Sequence, residues 1–370
     1  MAIGSSKYPP HLRSRVRILQ RRLRDKGVGV LLITNPADIR YLTGFVGEDS
    51  WAVVRSRSIT VYVVTDSRYE QQIGIEAPHV RSLVRRGTLV NEVGILAEKL
   101  QLNQIGLQMD YITLSQRNAL VKQIGARKLV PFDDGLFEDR AIKDKLEVGA
   151  IQKALRMAQQ AFRQTVSLIR PGMTEFEVAA ELEYQMRRRG ADKASFDTIV
   201  AIGPNAALPH AIPGRRKVPA QGLILIDWGA RTGGYCCDLT RTLAVGRMPR
   251  QVRDVYQVVL EAQLAAIDSI APGRKLKQID AVARELITKA GYGAFFGHGL
   301  GHGIGLDIHE RPVLSHQAAG VLRPGHVVTV EPGIYLPGVG GVRIEDDVLV
   351  TKRGHRVLSN LPKTLDCAII

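Results

Sequence analysis

Residues 222–245 read GLILIDWGARTGGYCCDLTRTLAV. Leu223–Trp228 is an apolar, β-branched run, and Tyr235–Val245 is a second run of strand type. Thr232-Gly233-Gly234 between them has turn chemistry, so the two runs read as a β-hairpin. The hairpin brings Asp227 and Asp238, eleven positions apart, towards one spot. Asp227 by itself reads as a surface aspartate near a turn. Asp238 resists that reading, because Cys237 and Leu239 flank it in a run expected to be buried.

Three further segments extend the pattern. Residues 297–310, GHGLGHGIGLDIHE, place His298, His302 and His309 in one glycine-rich stretch. Glycine permits close approach of backbone and ligands, and imidazole is the commonest neutral metal ligand. Three of the chain's nine histidines within twelve positions are more than scattered loop residues. Glu331 follows the strand-like VVTV and opens EPGIY. Glu345 lies in GGVRIEDDVLV, where period-two alternation puts it on one face with Arg343 and Asp347. Taken alone that face reads as solvated, yet a polar face can also wall a metal site. Four carboxylates leaving water together are very costly unless cations neutralise them. A pair of divalent ions would do so, and a two-metal site is hydrolytic machinery.

The chain has 370 residues, enough for two domains. Gly29–Thr34 and Ser58–Thr65 read as strands, with a turn-rich segment from Thr34 to Trp51 between them. Helical patterns follow at Tyr69–Ala77 and Leu89–Leu100, which makes a small α/β domain ending near Phe137. Glu138–Glu147 reads as a linker. Beyond it, helices are expected at Val148–Ile169, Thr174–Arg188, Pro249–Ile270 and Leu276–Ala290. Thr174 with Glu177 makes a capping box for the second of these. Strands are expected at Asp197–Ile202, Leu223–Trp228 and Tyr235–Val245, in the VVTV that begins Val327–Tyr335, and through Val342–Val350.

The formal charge of +15 invites a nucleic-acid partner. Much of the excess is local, in Arg13, Arg15, Arg17, Arg21, Arg22, Arg24 and Lys26, with Val16, Leu19 and Leu23 at helical spacing. That pattern predicts a helix with a solvated arginine face. No zinc-finger spacing, RNP-type aromatic pattern or low-complexity basic tail accompanies it, so no specific nucleic acid is expected. No stretch is long enough to span a bilayer, and Met1–Arg24 lacks the apolar core of a secretory signal. Three cysteines, two of them adjacent, form no disulfide framework, so a reducing cytoplasm is expected. Cys236 and Cys237 read as small buried hydrophobes.

The ordered set Asp227, Asp238, His302, Glu331 and Glu345, carried in IDWGA, CCDLTRT, GHGIGLDIHE, VEPGIY and GGVRIEDD, resembles the pita-bread metallopeptidases. These are the family of methionine aminopeptidase, Xaa-Pro aminopeptidase, prolidase and creatinase. The likeness runs from about Glu147 to the C-terminus. NPADIRYLTGF and TDSRYEQQ are similar to the smaller domain that the proline-specific peptidases and creatinase share and that methionine aminopeptidases generally lack. The expected fold class is therefore α/β (α+β): a creatinase-like N-terminal domain over residues 1–140 and a pita-bread catalytic domain over 141–370.

The resemblance implies that Asp227 binds one metal, that His302 and Glu331 complete the shell of the other, and that Asp238 and Glu345 bridge. The implied nucleophile is a water or hydroxide between ions about 3.5–4 Å apart. Glu331 is the implied proton shuttle to the prolyl leaving nitrogen. His210, in NAALPHAIPG, and His309 would donate to the substrate carbonyls and the oxyanion. His298 would line the proline pocket, and Arg343, Tyr335 and Asp38 resemble a relay behind the metals. An oxygen-rich shell with one imidazole points to two manganese ions, with cobalt, zinc or iron tolerated by the family.

The expected activity is release of the N-terminal residue from peptides with proline second. The alternative is hydrolysis of Xaa-Pro dipeptides alone. Some family dipeptidases carry an arginine shortly after the proline of their HExP-like run. Here Val313 follows Pro312, with Arg311 nearby, which leans towards aminopeptidase. Creatinase lacks the full ligand set. Non-catalytic members that bind nucleic acid or proteins usually lose ligands, and none is missing here. Homodimers or homotetramers are common in the family.

Overall fold

A computed structural model describes residues 8–132 and 135–370. They fall into two compact units, one ending at Arg140 and one spanning Ala141–Ile370.

The first unit is built on β1 (Val30–Ile33), β2 (Ser50–Arg55), β3 (Ser58–Thr65), β4 (Arg81–Val84), β5 (Ile105–Gln108) and β6 (Leu129–Phe132). The sheet order is β4-β3-β2-β1-β5-β6. β1 runs parallel to β5 and antiparallel to β2, so the sheet is mixed. Its central strands β1 and β2 read as near-continuous apolar runs because both of their faces are covered. One face packs on Val93, Leu96, Ala97 and Leu120 of the helices at Leu89–Lys99 and Leu114–Ile124. The helix Pro10–Asp25 buries Val16, Leu19 and Leu23, the three apolar residues at helical spacing. Its arginine face is only partly solvated. Arg13, Arg17 and Arg21 are exposed. Arg15 is buried, donates to the Tyr41 carbonyl and stacks over the Tyr41 ring, while Arg22 pairs with Asp139.

Two segments differ from the sequence reading. The turn-rich stretch after Thr34 contains a helix, Pro36–Thr43, capped by the Asn35 side chain and stopped by Gly44 at φ +78°. Eight residues are too few for a helical period to stand out, although its start and stop signals are there. The expected linker Glu138–Glu147 is largely helical, in Phe137–Ala141 and in the first turn of α1 (Lys145–Leu168). Asp144 and Glu147 form that helix's capping box, so charges that looked like a linker are a helix start.

The second unit pairs α1 with α2 (Glu175–Arg188) and α3 (Arg250–Asp268) with α4 (Leu276–Lys289). Between the two pairs run the strands β7 (Ile199–Ile202), β8 (Gly222–Trp228), β9 (Tyr235–Cys236) and β10 (Leu239–Val245), then β11 (Gly301–Gly303), β12 (Glu310–Leu314), β13 (Val327–Val330), β14 (Gly333–Leu336), β15 (Gly340–Arg343) and β16 (Asp346–Val350). β8 shows why the deciding run is apolar on both faces. Leu223 and Leu225 pack into the core under α3 and α4, whereas Ile224, Ile226 and Trp228 pack into the core under α1 and α2. β10 pairs antiparallel with β8, setting Thr240 opposite Asp227, and β7 lies on the other side of β8. Trp228 is a packing residue, stacked on Phe162 and donating to the Ala158 carbonyl.

Candidate metal centre

Three of the five candidate ligands sit where a strand breaks. Asp238 lies between β9 and β10, Glu331 between β13 and β14, and Glu345 between β15 and β16. A residue leaving the ladder can turn its side chain inward without surrendering a strand position. The break at Asp238 coincides with a close backbone approach. The Cys237 carbonyl presses on Gly229, where an added Cβ would stand 1.9 Å from it, so only glycine fits. His302 is placed by a similar approach, since a Cβ on Gly301 would lie 2.1 Å from the Thr329 carbonyl.

The groups converge. His302 Nε2 is 3.3 Å from Glu331 Oε1 and 3.6 Å from Asp238 Oδ2. Asp238, His302 and Glu345 offer ligand atoms all within 4.8 Å of one another. The Nδ1 of His302 faces the Gly303 carbonyl at 3.0 Å, so it carries the hydrogen and leaves the Nε2 lone pair aimed at the carboxylates. Asp227 is held by Arg343 Nη2. Thr240 donates to Glu345 at 2.6 Å and Thr329 to Glu331 at 3.1 Å. Neither threonine stood out in the sequence; the signal was the alternation in LTRT, which faces Thr240 towards Asp227.

Electrostatics mark the spot. Burial raises Asp238 well above the ordinary carboxylate range, and Glu345 and Asp227 add to the rise. Glu345 is raised in the same way, by burial and then by Glu331 and Asp227. Burial lifts Glu331 to about 7 against the opposing charge of Arg343. Among the described residues, Asp227 Oδ1, Asp238 Oδ1, Glu345 Oε1 and Asp347 Oδ1 are buried oxygens with no hydrogen-bond partner. Orphaned anionic oxygens beside an available imidazole nitrogen are a donor set that fits divalent cations. The alternation through Arg343, Glu345 and Asp347 is real, but that face is buried, not solvated.

A polar chain leads away from the carboxylates. Arg343 donates to Tyr335 Oη at 2.8 Å, and Tyr335 Oη meets His298 Nε2 at 2.9 Å. His298 Nδ1 faces the Gly299 carbonyl, so Tyr335 is the donor to Nε2. Arg284 of α4 holds this segment through the carbonyls of Phe296 and His298. The His309 ring lies 4.4 Å from that of His302. His210 is exposed, yet near enough for its charge to act on Glu331, His298 and His309. Asp38 has partners within its own unit, Arg140 at 2.9 Å and Gln108 at 2.6 Å. Cys236 and Cys237 are buried; burial pushes the Cys236 thiol up to about 11 and Cys237 well up, so both stay protonated.

A carboxylate-rich centre of this kind, set between two helix pairs and their strands, fits the metal site of a hydrolase. Residues 149–352 match metallopeptidase family M24, and residues 15–142 match the creatinase/prolidase N-terminal domain. The chain belongs to metallopeptidase family M24, with a pita-bread catalytic domain that follows a creatinase-like one in the sequence. It is 42% identical to a Xaa-Pro dipeptidase of Pyrococcus horikoshii, over 66% of this chain and 70% of that protein. A Xaa-Pro dipeptidase structure from Bacillus anthracis superposes with a TM-score of 0.92 at 37% identity, covering 97% of this chain and all (100%) of that one. An X-Pro aminopeptidase structure from Thermotoga maritima gives 0.87 at 38% identity, covering 95% and 100%.

Proposed function

We propose that the chain is a Xaa-Pro dipeptidase that uses two divalent metal ions, held by Asp227, Asp238, His302, Glu331 and Glu345. The observation that carries the metal reading is the convergence of Asp238 and Glu345 on His302, within 4.8 Å of one another, with one oxygen of each carboxyl buried and lacking a hydrogen-bond partner. The dipeptide reading is supported by the relatives named as dipeptidases. They outweigh the lean towards aminopeptidase that Val313 provided. The Thermotoga X-Pro aminopeptidase supports the second reading, release of the first residue from longer Xaa-Pro peptides.

When bound, the ions, which we take to be manganese, supply Lewis acidity and make a water nucleophilic near neutral pH. Everything else falls to side chains. Glu331 takes a proton from the attacking water and delivers it to the prolyl nitrogen, which cannot leave as an anion. His210 and His309 donate to the substrate carbonyl as it becomes an oxyanion; removing one such donor costs about 2.7–4 kcal/mol of barrier. His298 and Tyr335 flank the proline ring, and Arg343 fixes both Asp227 and Tyr335. We place the enzyme in the cytoplasm as a homodimer or homotetramer. Among the described residues no helix is long and apolar enough to cross a membrane.

The test is hydrolysis of Ala-Pro, Ala-Pro-Ala and Ala-Ala with Mn²⁺ added and after chelation. Metal-dependent cleavage of Ala-Pro, slower cleavage of the tripeptide and none of Ala-Ala is expected. A tripeptide cut faster than the dipeptide would restore the aminopeptidase reading, and no prolyl cleavage would remove both.

A further inference from the structure

Glu175 is the first residue of α2 and has no exposed surface (0%). Its carboxylate takes no part in the metal centre. Oε1 accepts from the Ile202 backbone N–H at 2.8 Å and from Asn205 Nδ2 at 2.9 Å. Oε2 accepts from the Gly214 N–H at 2.9 Å and from the same Asn205 amide at 3.2 Å. Among the described residues it has no ion pair; neutral donors and the positive end of α2 hold it. A buried carboxylate is costly unless its oxygens are filled by hydrogen bonds.

What it joins is the segment between Ile202, the last residue of β7, and Gly214. Within that segment His210 is exposed, and so are Leu208 at 58% and Ile212 at 85%. The loop has little core of its own; Ala206 and Ala211 are its buried apolar residues. Glu175 binds the start of this loop with one oxygen and its end with the other. Two more backbone bonds close the base, Phe176 N–H to the Gly214 carbonyl and Glu175 N–H to the Arg216 carbonyl.

We propose that Glu175 is a positioning residue for the peptidase reaction: by tying both ends of the 202–214 loop, it sets where His210 meets the substrate carbonyl. This rests on the proposed peptidase function. The geometry explains why the group is a carboxylate. Glutamine has nearly the same volume, but one of its two ends is an NH₂ donor. That donor must face either the Ile202 or the Gly214 N–H, so one loop end is released.

The experiment compares wild type, Glu175→Gln, His210→Ala and the double variant. Each is assayed on Ala-Pro with Mn²⁺ and examined by hydrogen–deuterium exchange. Glu175→Gln should lower kcat about 10-fold with KM within about 2-fold and metal content unchanged, a size below the 10²–10³-fold expected for a lost oxyanion donor. In the His210→Ala background the same change should cost less than about 2-fold, because the residue through which it acts is gone. Exchange should quicken in residues 203–213 and stay unchanged elsewhere. Equal fold-losses in both backgrounds, or undisturbed exchange in the loop, overturns the proposal. If Glu175→Gln does not fold, Asn205→Ala removes the bridging amide and should show the same non-additivity at about 3-fold; additive losses there overturn the proposal equally. If wild type cuts no prolyl peptide, the functional reading fails, while the exchange result still decides whether Glu175 clamps the loop.

Discussion

Glu345 and Asp346 are adjacent, both buried, and opposite in their electrostatics. Glu345 turns to the candidate metal centre, where Thr240 fills one oxygen and the other has no protein partner. Asp346 turns away from it. One of its oxygens accepts from Arg241 Nη2 and Ser359, and the other from Gln263 and Lys363. Burial opposes ionisation at both. At Asp346 the charges of Arg241 and Lys363 override it and hold the carboxyl at about 2, whereas at Glu345 the neighbouring Glu331 and Asp227 reinforce it. One peptide bond therefore separates a carboxyl whose oxygens are filled by protein donors from one that keeps an oxygen without a partner, the position proposed for a cation.

The comparison breaks most visibly at Glu345→Gln. Removing that ligand should abolish prolyl cleavage and at least one equivalent of bound metal, yet raise the melting temperature of the chelated protein by relieving like-charge repulsion. A chelated variant that melts lower than wild type would mean that Glu345 is a structural anchor like its neighbour. Asp346→Asn should do the reverse, costing about 3–5 kcal/mol of stability because Arg241 and Lys363 lose a buried counter-charge. Urea midpoints measure this, and a loss under about 1 kcal/mol would show that the network is dispensable.

The pH dependence has two limbs of opposite sign. Glu331 ionises near 4.5 when unfolded and near 7 in the folded, metal-free chain. Across that window the folded state holds the extra proton, so metal-free stability falls by about 3 kcal/mol as pH rises from 4.5 to 7. Asp346 shifts the other way, from 3.8 to about 2, so its contribution of about 2 kcal/mol is lost as pH falls through that range. Denaturation of chelated protein between pH 5 and 8 reads the first limb, and Mn²⁺ should flatten it; a stability that climbs with pH before metal is added contradicts the assignment. The smallest effect belongs to Tyr335→Phe. His298 Nε2 loses its donor and Arg343 loses an acceptor, so kcat/KM on Ala-Pro should drop by about 1.5 kcal/mol with metal content intact. An unchanged rate would detach this chain of hydrogen bonds from the substrate pocket.

Much of this was legible in the linear chain. The hairpin around Thr232-Gly233-Gly234 forms as read, and Thr174 and Glu177 cap α2 as their spacing requires. Ser58–Thr65 is a strand to the residue. The failures share a cause. Tyr235–Val245 and Val342–Val350 read as unbroken strands, and each is interrupted, at Asp238 or Glu345, whereas the strand VVTV ends before Glu331 as read. Period-two patterning registers which neighbours are apolar. It does not register a backbone leaving its ladder, which depends on distant contacts such as the Cys237 carbonyl against Gly229. Glu175 was invisible for a related reason: only the folded chain brings Ile202 and Gly214 to its two oxygens.

Sequence alone determined which residues share a face and which chemistry they carry, because side-chain alternation and turn preference are local properties of the chain. It set Arg343, Glu345 and Asp347 on one side of a strand run. Tertiary structure decided that this side is an enclosed wall of the candidate metal centre and not a wetted surface, because solvent exclusion depends on what packs opposite. It also decided that both oxygens of Asp346 receive protein donors while one oxygen of Glu345 is left without any, although the two residues are adjacent in the chain.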